Sequence, residues 1–190
     1  MSDALNLSGG FKDPALDAAR AFRVALNAMS QPGQIFEMTG IEPPLPLSEA
    51  AGALLLTLID HETPVHLGGR YNSPAVKQWL SFHTGAPFLP APQALFAIGR
   101  WQDLLPLTQF AHGEAEYPER SATLIVECDQ LLNTGSCLTG PGIKSQTFLN
   151  LPDERGLAAN AALFPLGLDF YLTAGSQISG LPRSTRIGGV

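Results

Sequence analysis

Apolar and polar positions along this chain repeat at two periods, and the changes of period mark its elements. Ala19, Phe22, Leu26 and Met29 fall at helical spacing and predict one apolar helix face, with Arg20, Arg23 and Asn27 on another. Asp13 is placed to cap the free N–H groups of that helix, and Pro14 suits its first position. Pro32-Gly33 ends it, and residues 34–38 predict a short strand. Ser48 precedes an apolar run over 50–59 that predicts a buried helix. A short strand follows at 65–67, and Ser73-Pro74 opens a further helix to about residue 82. Apolar runs at 94–98, 122–126, 136–138 and 169–173 have strand length, and 152–163 predicts a helix. Residues 1–10 predict a mobile arm, and the stretch 104–110, interrupted by Pro106, stays open. Short strands alternating with helices predict an α/β fold, with a mixed sheet flanked by helices, in a single domain over 1–190.

Composition narrows the function. Charged residues make up 15% of the chain, below the roughly 25% usual for soluble domains. Surfaces that meet partners are depleted in charge, so this balance favours assembly. Net charge is −6 and there are only three lysines, Lys12, Lys77 and Lys144, which excludes autonomous nucleic-acid binding. Cys128 and Cys137 form no CxxC pair and predict free thiols in a reducing compartment. No signal peptide or membrane span is expected.

Candidate chemistry is sparse. His61, His66, His83 and His112 form no HxxxH or HxH pair, so no metal site is predicted. No GxxxxGK[ST] loop, dinucleotide fingerprint or GxSxG elbow occurs. None of the three lysines has a phosphate cradle suited to pyridoxal phosphate. Thr139-Gly140-Pro141-Gly142 could offer backbone N–H groups to an anion, though Pro141 removes one donor, and a tight turn is the simpler reading. Tyr117-Pro118-Glu119-Arg120-Ser121 leads from a loop into a strand, where Arg120 could pair with Glu119 or reach a ligand.

Seven segments together resemble a known family. They are Gly10-Phe11-Lys12-Asp13-Pro14, Phe22-Arg23 through Met29-Ser30-Gln31-Pro32-Gly33, Asp60-His61-Glu62-Thr63-Pro64, Tyr117 through Thr123, Leu138 through Ile143, Phe164-Pro165-Leu166-Gly167-Leu168-Asp169, and Leu181-Pro182-Arg183-Ser184-Thr185-Arg186. In order and spacing they are similar to the H subunit of the bacterial carbon–phosphorus lyase machinery, the PhnH family. The resemblance implies a fold like a reduced large domain of pyridoxal-phosphate-dependent transferases without the cofactor. It implies a cytoplasmic homodimer that also joins the G, I and J subunits in a core complex. That complex joins a phosphonate to the ribose C1 of ATP, with release of adenine, before the C–P bond is cleaved. No catalytic residue carries over to this subunit.

Three functional expectations follow. The first is a non-catalytic subunit of that complex. The second is a phosphonate- or nucleotide-binding subunit, with Arg120, Glu119, Ser121, Gly140, Gly142 and Arg23 as the anion site. The third is a free-standing pyridoxal enzyme, which the lysines disfavour.

Overall fold

A six-stranded sheet forms the centre of the computed structural model, which describes residues 7–188. Its order is β1-β8-β7-β4-β3-β2, from β1 (Phe36–Glu37), β8 (Gln177–Leu181), β7 (Asp169–Ala174), β4 (Thr123–Glu127), β3 (Phe96–Gly99) and β2 (Val65–Leu67). The run β2-β3-β4-β7 is parallel, and β8 and β1 add antiparallel to it. The sheet is mixed, as the sequence predicts. Among the described residues, four α-helices accompany it: α1 (Pro14–Ser30), α2 (Glu49–Leu58), α3 (Pro74–Thr84) and α4 (Glu154–Ala161).

Strand periodicity splits the core into two layers. Ile98, Ile125 and Tyr171 lie in one register row on the face under α1, α2 and α3. Ala97, Leu124, Phe170 and Leu181 form the neighbouring row on the opposite face, which α4 and a small second sheet cover. Both faces are buried, which is why these strands read as continuous apolar runs.

The outward face of α1 is the main departure from expectation. Asp13 and Pro14 start the helix as predicted, with Asp13 Oδ1 accepting from Leu16 N at 3.3 Å. The buried face, however, is Ala21, Ala25 and Ala28, while Ala19, Phe22 and Leu26 are exposed. The reason is a close helix-to-sheet approach. A Cβ built on Gly180 of β8 would stand 2.4 Å from Ala28 O, and Tyr171 Oη donates to Ala25 O at 3.2 Å. Only small residues fit there, so the bulky apolar positions turn outward.

The structure adds detail to two further expectations. The predicted mobile arm covers residues 1–10, of which 1–6 lie outside the described residues. Residues 8 and 9 are hydrogen-bonded to the rest of the chain: Trp79 Nε1 donates to Ser8 O at 2.9 Å, and Glu42 N to Gly9 O at 2.8 Å. The strand predicted at 136–138 exists as β5 (Ser136–Thr139), but it belongs to the second sheet, between β6 (Thr147–Leu149) and β9 (Arg186–Ile187).

Candidate functional site at the two ends of the parallel sheet

At the amino end, Asp169 opens β7 and Ser121 precedes β4. Arg183, just past β8, sits between them. Its Nε donates to Asp169 Oδ1 and Oδ2 at 3.1 and 3.2 Å, its Nη1 to Pro118 O at 2.7 Å, and its Nη2 to Ser121 Oγ and Asp169 Oδ2. Arg183 N also donates to Asp169 Oδ1 at 2.8 Å. The two side chains are 13% and 24% exposed. The guanidinium fork is filled by groups of the protein itself.

The sequence-predicted anion residues do not converge. Ser121 is buried and its hydroxyl is taken by Arg183. Arg120 lies over the Tyr117 ring at 4.0 Å, and Glu119 is exposed, with no Glu119–Arg120 ion pair among the described residues. Gly140 has φ +130° and packs against Ser184 and Thr185. Gly142 has φ +81°, and a Cβ there would lie 2.1 Å from Ser30 O. That close approach explains the glycine, and the turn is closed by Ile143 N donating to Gly140 O at 3.1 Å. Arg23 is exposed on α1, distant in the chain from the others. No hydrogen bond among the described residues joins Arg120, Arg23 and the Gly140–Gly142 turn.

The carboxyl end of the sheet holds groups that sequence reasoning missed. A cleft of about 300 Å³ opens beyond β3 and β4, lined by Arg100, Trp101, Gln102, Glu127, Asp129 and Gln130 among others. Arg100 Nη2 donates to Asp129 Oδ1 at 2.6 Å, which holds the Asp129 carboxyl below its ordinary range. The exposures here are 35% and 82%, so the pair faces water. Glu127 ends β4 and is 5% exposed; its Oε1 accepts from Ser48 N at the start of α2 at 2.8 Å. Burial pushes its pKa up, against the Ser48 hydrogen bonds that lower it. Burial and the Glu127 charge push the Cys128 thiol to about 11, so it is not a thiolate nucleophile at neutral pH. The signal that could have found this end is positional. Arg100 and Asp129 each lie just past the carboxyl end of a parallel strand, where open α/β sheets bind ligands.

Among the described residues, no group of three or more His, Cys, Asp or Glu side chains is arranged for a metal ion, and no helix is long and apolar enough to cross a membrane. The family model of the bacterial phosphonate metabolism protein PhnH matches residues 9–188. This chain belongs to the PhnH family. It is 40% identical over 189 residues to the alpha-D-ribose 1-methylphosphonate 5-triphosphate synthase subunit PhnH of Rhizobium meliloti (strain 1021), covering 95% of this chain and 94% of the relative. It is also 28% identical over 181 residues to the putative C-P lyase subunit protein HtxG of Stutzerimonas stutzeri, covering 88% and 84% of the two chains.

The geometry explains what several PhnH-like segments do. Three of the seven, those containing Ser121, Asp169 and Arg183, meet at one guanidinium. Gly142 of a fourth packs on Ser30 and Pro32 of a fifth. In a sixth, Asp60 Oδ1 accepts from Glu62 N and Thr63 Oγ1, fixing the turn after α2. These motif residues build the PhnH fold.

Proposed function

We propose that this chain is a non-catalytic, scaffolding subunit of the carbon–phosphorus lyase complex. In that role it is required for joining a phosphonate to the ribose C1 of ATP, with adenine released, in the cytoplasm. The observation that carries this reading is the 40% identity along 94% of a relative named as a subunit of that synthase. The partners are the G, I and J subunits, and the isolated chain forms a homodimer. Geometry supports the scaffolding role, because the motif side chains at the amino end of the sheet are engaged with the protein itself. The apolar side chains left outside on α1, Leu16, Phe22 and Leu26, are what a subunit surface carries. The mixed sheet with flanking helices is compatible with a reduced large domain of pyridoxal-phosphate-dependent transferases lacking the cofactor.

The test is co-purification of the tagged chain from cells expressing the neighbouring operon, with mass spectrometry of the intact assembly. A multi-subunit particle containing this chain is expected. Purified alone, the chain should release no adenine from ATP and methylphosphonate. Turnover by the lone chain, or its recovery without companions, would overturn the reading.

A further inference from the structure

We propose that the outward face of α1 is a docking ridge for a different protein subunit, one that offers an apolar groove edged by carboxylates. The proposal rests on the subunit role and adds the surface that role uses and the chemistry of what covers it.

Leu16, Ala19, Phe22 and Leu26 are spaced by three, three and four residues, so they form one row along the helix. At about 1.5 Å per residue the row runs about 15 Å. Leu16, Phe22 and Leu26 are 56%, 47% and 53% exposed. Single exposed apolar side chains are ordinary, whereas a continuous row marks an interaction surface. The row cannot turn inward. The other face of α1 is locked by Ala21, Ala25 and Ala28, with Gly180 against Ala28 O and the Tyr171 hydroxyl donating to Ala25 O. A rigid ridge of anchors at helical spacing is what an apolar groove receives, and docking it orders little new structure.

Charge selects the occupant. Asp13 and Asp17 are the only carboxylates from residue 13 to residue 30, and both are engaged. Asp13 Oδ1 accepts from Leu16 N, while Asp17 accepts from Arg20 Nη1 at 3.1 Å and from Asp13 N at 3.0 Å. Glu37, across a groove from Arg20 on one flank of α1, accepts from Ser176 Oγ. Arg23 is exposed beside the row and has no ion pair among the described residues. The crest of the ridge is therefore cationic, on a chain of net charge −6. A two-fold contact through this face would set Arg20 and Arg23 against their own counterparts, with no free carboxylate on the helix to separate them. A second copy is thus a poor occupant, and the homodimer of the isolated chain uses another surface. A groove with carboxylates at its edge meets both the apolar row and Arg23.

The test uses the tagged full chain in cells expressing the neighbouring operon. Leu16→Gln, Phe22→Gln and Leu26→Gln combined should cut the companion subunits recovered by about tenfold or more. The urea midpoint and the size of the lone chain should stay as in wild type. Arg23→Glu should also lower recovery, and Arg23→Lys should keep it. Phe22→p-benzoylphenylalanine, on irradiation, should cross-link to a different subunit, at a segment where Asp or Glu adjoins apolar residues. A cross-link to a second copy, full assembly of the triple variant, or equal recovery of Arg23→Glu and wild type would each overturn the proposal. Where the wild type still assembles, such a result removes the ridge and leaves the subunit reading standing. A wild type that assembles with nothing removes the subunit reading, and the ridge with it.

Discussion

The two ends of one parallel sheet each carry an arginine beside an aspartate, and the two pairs have opposite characters. Arg183 and Asp169 at the amino end are mostly buried, and every direction of the guanidinium is met by the protein. Arg100 and Asp129 at the carboxyl end share one hydrogen bond, in the open. A buried pair fixes geometry, because losing one partner strands the other charge in low dielectric. An open pair fixes little and can exchange partners at small cost. Having the same residue types in one fold therefore does not make both pairs sites.

The largest effect should come from breaking the buried pair. Arg183→Ala leaves Asp169 and Ser121 without their partner and frees the Pro118 carbonyl. We expect a loss of about 3 kcal/mol in urea unfolding. Arg100→Gln, measured alongside, should behave like an ordinary surface substitution. If the two variants lose similar stability, the contrast between the ends fails.

Next is the glycine turn that packs against Ser184 and Ser30. Gly142→Ala meets both a positive φ and the Ser30 carbonyl, and should cost about 1–3 kcal/mol. A turn built to hold a ligand would instead tolerate the methyl in the free protein and lose only binding. An unfolding midpoint equal to wild type would reopen this turn as an anion site.

The carboxyl end has a pH signature. Burial raises the Glu127 pKa in the folded state above its unfolded value, so the folded chain binds more protons across that interval. Stability from this group is therefore present at low pH and falls as pH rises through the raised pKa. Glu127→Gln keeps an oxygen to accept from Ser48 N and removes the buried charge. Unfolding free energies measured across pH should show the wild type losing ground to the variant from the ordinary carboxylate range upward. Parallel curves would mean that Glu127 is not penalised by burial.

Much of the fold was legible in the sequence because local chemistry decides it. Asp13, Ser48 and Ser73 cap helices as their positions suggest, and β2 falls where the apolar run places it. The face of α1 was not legible. Which apolar residues are buried depends on how closely Gly180 lets the helix approach, and that is a contact across about 150 residues of chain. The site was less legible for the same reason. Ser121, Asp169 and Arg183 are separated in sequence and joined only by topology, and Arg100 and Asp129 meet because β3 and β4 are neighbours.

The smallest expected effect concerns Arg120, the arginine that local sequence made most prominent. Its guanidinium lies 4.0 Å from the centre of the Tyr117 ring on an exposed loop. Such a contact contributes about 0.5–1 kcal/mol at the surface. Arg120→Ala should lower stability in urea unfolding by no more than that. Arg120→Lys should recover part of the loss, since an ammonium also sits on an aromatic face. A loss in Arg120→Ala as large as that in Arg183→Ala would make this exposed arginine part of the buried network and blur the comparison between the two arginine pairs.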